Sequence, residues 1–528
     1  MSGVKVFFGL LAVRILSVFI VQSWYVPDEY WQSLEVSHKL VFGYGHLTWE
    51  WSKGIRSYIH PVIIAGIYKA LEALSLDDVQ YLVIVPRIFQ AILTAFADYR
   101  FYKWTGQSKW SLFMIVSSWF WFYTGSRTLA NTVEAALTSI ALSYFPWGGK
   151  ESSSFLWYVA LVCFVRPTAA ITWLPLCFHH IRSSSLSVLR NIFLRYLPIG
   201  LIVGGASVAI DYLAHGSFIL TPIEFLKVNV WQEIGIFYGT SPWYWYLVAG
   251  LPTVLGLTTL PFLLATIDTL LNRSTFPQRL VLLWSIVFTL AIYSLLPHKE
   301  FRFILPILPM CLYITSDYLS RWSRKANDVL IWIVSLALLI ANVAPAAYLS
   351  IVHQKGTVDV MPHLAKIAKE YKDEDGHRAK LLFLMPCHST PYFSHIHQNV
   401  SMRFLTCEPN FSQQDNYVDE ADHFYKDPLA WYRFHIPVYP RTAMPTHLVM
   451  FDNLVEKLPE ILVDYQQIHA VPHADYPLTE RIGNKVLVYE RVNPNKQRND
   501  EIIGSGDRPA TSTQQARKSQ GQQKKKQT

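Results

Sequence analysis

Long apolar runs separated by short polar links fill the first 350 residues of the chain. Runs near 5–25, 80–100, 110–124, 129–146, 155–165, 168–179, 196–214, 243–267, 279–296, 302–320 and 328–349 predict helices embedded in a bilayer. Several fall short of the roughly 20 residues that a straight span needs. The tightest pair flanks Arg166-Pro167, which reads as a short hairpin or as one span broken at the proline. An arginine inside apolar sequence is costly, so Arg166 is expected to face a polar interior or a carbonyl freed by the break. Segment 61–75 is apolar but short and carries Lys69 and Glu72, which fits an amphipathic helix lying on the membrane surface. The first 25 residues hold no small-residue cleavage site and end in the interfacial pair Trp24-Tyr25, so they read as an uncleaved first span.

Basic residues in the links decide the count. Arg100, Lys103 and Lys109, then Lys150, then Arg182, Arg190 and Arg195, then Arg273, then Arg321, Arg324 and Lys325 all fall on the side of the N-terminus if there are about eleven spans. Reading 155–178 as a single span would carry the basic 180–195 link across the membrane. The expectation is therefore a polytopic α-helical membrane region, 1–350, with a cytosolic N-terminus. Segments 26–79, 215–242 and 298–302 then lie on the opposite, luminal side.

From about 353 the pattern changes, and 11 of the 18 His fall between there and 493. Runs at 380–385, 446–451 and 485–490 have the short β-rich character of strands, and 361–372 and 453–464 have helical spacing. Residues 351–493 are expected to form an α/β domain, luminal on the eleven-span count. Cys387 and Cys407 both lie in it, and an oxidising lumen permits a disulfide, though the sequence leaves their pairing open. Sequons at Asn399 and Asn410 are then accessible for glycosylation, whereas the one at Asn272 is cytosolic. Residues 494–528 are rich in Gln, Ser and Lys and read as a disordered basic tail. The chain ends Lys525-Lys526-Gln527-Thr528, a dilysine spacing that works only from the cytosol; the charge distribution of the links is given more weight.

Composition narrows the class. Hydrophobic residues make up 51% of the 528 and charged residues 16%, against roughly 25% charged in soluble chains. That excludes a mostly disordered chain, and five Cys exclude a disulfide-built scaffold. The net charge of +8 sits mainly in the tail, which carries +5 from residue 496 onward. No nucleic-acid module, P-loop or dinucleotide fingerprint is present.

The densest polar-aromatic stretch is 26–61, VPDEYWQSLEVSHKLVFGYGHLTWEWSKGIRSYIHP. Asp28 and Glu29 stand just outside the membrane, amid Tyr30, Trp31, Tyr44, Trp49, Trp51 and His60, with Arg56 nearby. The plain alternative is that the two acids cap a helix begun by Pro27. Rings beside acids are also what a sugar site uses, since sugar C–H faces pack on rings while hydroxyls need polar partners. A second cluster, LLPHKEFRFILP at 295–306, sets His298, Lys299 and Arg302 beside Glu300. It reads either as an interfacial anchor or as a phosphate clamp, in which Lys gives a point charge and Arg a fork. With a helical start, Lys299 and Arg302 share one face. His395-x-His397 is the closest histidine pair, without Cys-x-x-Cys or His-Glu-x-x-His spacing, so no metal is expected.

The segments PDEYWQSLEVSHKLVFGYGHLTWEW, IRSYIHP, HKEFRFILP and MPCHSTPYFSH (385–395) resemble the signature segments of the glycosyltransferase family 22 mannosyltransferases of the endoplasmic reticulum. The resemblance implies a GT-C fold with a catalytic acid in the first luminal loop. It implies a dolichyl-phosphate-mannose donor and a mannosylated glycosylphosphatidylinositol (GPI) precursor as acceptor, receiving its third mannose in α1,2 linkage with inversion. Under it Asp28 is the base, His298, Lys299 and Arg302 hold the donor phosphate, and Arg56 is the alternative. A lipid-phosphate donor carries no pyrophosphate, so no cofactor is expected. Other acceptors within the family remain open, namely the lipid-linked N-glycan precursor or a fourth GPI mannose. A lipid or sugar transporter is the reading from another class, but it calls for repeats and more mid-membrane charge than the sequence has.

Overall fold

The computed structural model describes residues 3–149, 151–373, 376–412, 414–436, 443–477 and 479–492. The basic tail 494–528 with its dilysine ending, and Lys150, lie outside the described residues.

Each apolar run corresponds to a helical stretch. Seven helices among the described residues are long and apolar enough to cross a membrane: Gly3–Ile20, Val79–Trp104, Val188–His215, Tyr246–Leu271, Pro277–Leu295, Phe301–Trp322 and the one that starts at Asp328. The remaining four runs give shorter pieces. Lys109–Ser117 and Trp119–Thr124 are parted by Ser118 in extended backbone, followed by Ala130–Tyr144, Ser154–Val165 and Ala169–Ser183. Ala130–Tyr144 is the hub, and every residue from Asn131 to Leu142 is buried. Its Ala, Ser and Thr content lets neighbouring backbones approach closely.

The hub also answers the question posed by Arg166. The helix breaks there, and Arg166 donates to the Glu134 carboxylate at 2.7 Å and to the Asn131 side-chain oxygen at 3.2 Å. A buried carboxylate, rather than a freed carbonyl, is what balances the charge. Asn131 in turn donates to the Arg302 carbonyl at 3.1 Å, so the interior polar chain reaches the base of the second cluster.

The α/β unit holds five strands in the order β2-β1-β3-β5-β4, with β1 Lys380–Leu384, β2 Ser401–Phe404, β3 His447–Phe451, β4 Tyr465–Pro472 and β5 Lys485–Arg491. β1 runs parallel to β2 and β3, while β5 is antiparallel to β3 and β4. Alternate residues face opposite sides. Leu382, Leu384, Leu448 and Met450 pack on the helices Glu420–Lys426 and Pro428–His435. Leu381, Phe383, Val449 and Val488 pack on helix Met361–Glu370 and, beyond it, on Tyr30, Trp31, Leu34 and Tyr68. The second face of the sheet therefore shares one core with segment 26–79. Segment 61–75 is a helix, Ile59–Ala73, whose inner side joins that core. The expected helix at 453–464 is two short pieces, Asp452–Lys457 and Pro459–Leu462, since Pro459 ends the first.

Candidate functional site

The site begins where the chain leaves its first helix. Pro27 turns it, and its carbonyl accepts from the Tyr30 and Trp31 amides at 2.9 Å each. Helical backbone follows, with a wide turn over Tyr30–Leu34 and then Glu35–Phe42, closed by Gly43 in the left-handed region (φ 79°). This short helix has two working sides.

One side docks on the α/β unit. Trp31 donates through its indole to the Thr390 carbonyl at 2.9 Å. The buried Glu35 carboxylate accepts from the Tyr392 and Ser394 amides at 2.9 and 3.1 Å and from the Ser394 hydroxyl at 2.5 Å. Burial pushes the Glu35 carboxyl up to about 7, although those hydrogen bonds pull the other way. His38 Nε2 and His397 Nδ1 share a hydrogen bond at 3.0 Å. Tyr30 and Trp31 are buried, stacking on Trp24 and Tyr392. These two rings, expected to meet sugar, are committed to holding the domains together.

The other side carries the acids, which part company. Glu29 turns inward and pairs with Arg127 at 2.7 Å, both fully enclosed. Arg127 also donates to the Ser23 and Tyr123 carbonyls. Asp28 turns the other way, where its carboxylate pairs with Arg302. Arg302 grips Glu300 by a two-pronged bond, 2.7 Å on each prong, and Glu300 accepts from His298 at 3.1 Å. Burial acts against a charged His298, but the Glu300 bond and charge overcome it and raise the ring above its ordinary pKa. Lys299 donates to the Ser241 and Leu296 carbonyls at 2.9 and 2.5 Å. Burial lowers its pKa. The shared helical face expected for Lys299 and Arg302 is not formed. Glu300 is extended (φ −138°, ψ 153°), and helix starts only at Phe301, so Lys299 points to the 241 loop and Arg302 to Asp28.

Arg56 lies 3.5 Å from Glu50, which also accepts from Gln32 at 2.9 Å. Trp49 donates to the Tyr238 hydroxyl at 3.0 Å. Tyr44 and Trp49 keep partial exposure, whereas Trp51 packs on Tyr58, and His60 is buried on helix Ile59–Ala73. Tyr44 and Trp49 are therefore the two rings of the expected six, His60 included, that remain open to a ligand without repacking.

Three residues that the sequence reading passed over also belong here. Tyr238 and His388 are close enough to feel the Asp28 charge. His388 has left-handed backbone (φ 57°), packs its ring 4.4 Å from that of Trp31, and is brought down to a pKa of about 4 by burial, with His46 adding to this and Asp28 opposing it. Arg127 was detectable, because a charge between two apolar runs is the signal that singled out Arg166. Cys387 and Cys407 form a disulfide, with Cα atoms 5.9 Å apart. Together with His388 they make the one group of potential metal ligands found among the described residues, and sulfurs joined to each other offer no thiolates. Asn399 is exposed; Asn410 is half-buried, and its amide donates to the Gln414 carbonyl at 2.7 Å.

The fold resembles that of ArnT from Cupriavidus metallidurans, solved bound to undecaprenyl phosphate, with a TM-score of 0.55 and 12% identity over 93% of this chain and 98% of that one. The architecture is the GT-C fold. The chain is 56% identical to GPI mannosyltransferase 3 of Drosophila melanogaster, covering 92% of this chain and 86% of that protein. It is 42% identical to human GPI alpha-1,2-mannosyltransferase 3, covering 91% and 86%. The model of the Alg9-like mannosyltransferase family matches residues 5–397, which include Asp28, Arg302 and the docking segment around Tyr392, and the chain belongs to that family.

Proposed function

We propose that this protein is an α-1,2-mannosyltransferase of the endoplasmic reticulum membrane. In this reading it takes mannose from dolichyl-phosphate-mannose and adds it, as the third mannose, to a GPI precursor on the luminal side. Family membership and relatives named GPI alpha-1,2-mannosyltransferase 3 support the activity and the acceptor class. The observation that carries the chemistry is the linked set Asp28–Arg302–Glu300 at one end of the helix bundle.

In an inverting displacement the acceptor hydroxyl attacks the mannose C1 as the bond from C1 to the phosphate oxygen breaks. The hydroxyl proton passes to Asp28, and the electron pair leaves on the lipid phosphate. Arg302 has five N–H donors. Two serve Glu300 and one serves Asp28, which leaves two to meet the growing charge on the phosphate. Lys299 has one N–H left after its two carbonyl bonds. Glu300 is thus a brace that fixes the guanidinium plane, and Glu29 holds the helix that presents Asp28.

The test offers purified protein the donor with three acceptors in parallel: a GPI precursor bearing two mannoses, one bearing three, and the lipid-linked N-glycan precursor. Transfer to the first alone is expected. Transfer to either of the others reassigns the acceptor, and no donor consumption overturns the reading.

A further inference from the structure

The segment between helices Val188–His215 and Tyr246–Leu271 is helical over Thr221–Leu226 and Lys227–Trp231 but far too short to cross a bilayer. Its outward face is apolar, unlike that of a helix that lies in water. Thr221 and Val228 are buried, and the Thr221 hydroxyl donates to the buried Asp211 carboxylate at 2.9 Å. The outer face, at spacings of three and four, is Leu220, Ile223, Leu226 and Val230, all exposed, followed by Trp231 at 86% exposure. An outward stripe of branched aliphatics is what water disfavours. Trp243, Tyr244 and Lys227 beside it are the residue types of a membrane interface.

We propose that this segment lies in the plane of the membrane, on the side that carries Asp28, with its outer stripe in the headgroup–acyl boundary. The occupant is lipid because both flanking membrane-crossing helices also turn apolar side chains outward, Leu201, Ile202 and Leu213 on one and Leu247 and Val248 on the other. The inner edge of the same segment reaches the site. Tyr238 accepts from Trp49, the Gly239 carbonyl meets His298 at 3.2 Å, and the Ser241 carbonyl holds Lys299 while its amide donates to the Pro297 carbonyl at 3.0 Å. The stretch 220–241 therefore carries the outward apolar stripe at one end and holds His298 and Lys299 at the other. It sets the height at which a lipid-linked sugar presents its phosphate. That second step rests on the function proposed above; the membrane seating does not.

Two measurements separate the steps. A polarity-sensitive fluorophore on Trp231→Cys, in vesicles of phosphatidylcholine containing a doxyl-labelled fraction, should be blue-shifted and quenched. The same label on Gln466→Cys, in the exposed edge strand β4, should be neither. An unquenched, water-like signal at 231 overturns the proposal, and so does a label shielded from both lipid and water by a copurifying protein. Ile223→Glu with Val230→Glu should then raise KM for a full-length polyprenyl donor about tenfold. The same pair should leave kcat for that donor, and KM for a short-chain donor analogue, within about twofold, with Trp231→Gln giving a milder version of the split if the double variant folds poorly. Quenching with equal KM changes for both donors keeps the membrane seating and removes the coupling to donor height. Absence of all turnover in the unsubstituted protein would count against the proposed function and leave the quenching result standing.

Discussion

Asp28 and Glu29 are adjacent in the chain, yet their surroundings predict opposite phenotypes. The Glu29 side chain is 2% exposed and that of its partner Arg127 is 1%. In Glu29→Gln the guanidinium keeps the Ser23 and Tyr123 carbonyls, the Ser23 hydroxyl and the new amide oxygen as acceptors, but no opposing charge at contact distance. Removing one partner of a buried pair costs about 3–5 kcal/mol. The oxygens that remain offset part of that, so a loss near 3 kcal/mol is expected, read as a lower melting temperature and reduced abundance. Asp28→Asn differs, because Arg302 stays doubly bonded to Glu300 and no buried charge is orphaned. Its melting temperature should be close to that of the unsubstituted protein, while turnover drops at least ~100-fold through loss of the base. Fluorescence-monitored melting in detergent and turnover at equal protein amount read both quantities from one preparation. Pairing Glu29→Gln with Arg127→Gln should recover part of the lost stability, since both charges are then gone. Glu29→Gln that melts normally but does not turn over, alongside an active Asp28→Asn, would refute the assignment and move the base to Glu29.

Arg302→Ala should lower kcat/KM for donor roughly 10- to 150-fold, the worth of a charged hydrogen bond, with Arg302→Lys intermediate because it keeps charge and loses the fork. Unchanged values in both Arg302→Ala and Lys299→Ala would eliminate the clamp and pass the phosphate to Arg56. Glu35 should make docking of the α/β unit pH-dependent. A carboxyl raised from 4.5 to about 7 in the fold contributes stability that is full below 4.5 and is lost as pH climbs toward 7. The unsubstituted protein should therefore lose melting temperature relative to Glu35→Gln across that window, and parallel curves would show that Glu35 does not titrate there. Endoglycosidase treatment should shift the band of the intact protein and not that of a variant lacking Asn399 and Asn410, whereas losing Asn272 should change nothing.

What the sequence made legible follows from how far apart the interacting residues lie. Helices and inner strands are local statements, so the apolar runs mark them, and β1, β3 and β5 stand out as continuous apolar segments. β2 and β4 do not, because they are the two edges of the sheet and carry outward polar residues such as Arg403, Gln466 and Gln467. The acids and the His-Lys-Glu-Phe-Arg cluster were visible as local charge density. Their sorting was not, because it depends on partners 98 residues away for Glu29 and more than 270 away for Asp28. Aromatic density misled for the same reason, since a ring reserved for a ligand and a ring reserved for Tyr392 look alike in sequence. The spacing of Lys299 and Arg302 misled differently. Three residues apart implies one face only if the backbone is already helical, and here the extended Glu300 sits between them with both carboxylate oxygens on Arg302. That non-helical run, 298–300, is what lets a five-residue stretch serve two directions, with Lys299 tied to the loop at Ser241 and Arg302 tied to Asp28. A phosphate bound between them would meet one residue tied to the 241 loop and one tied to Asp28, rather than one helix face.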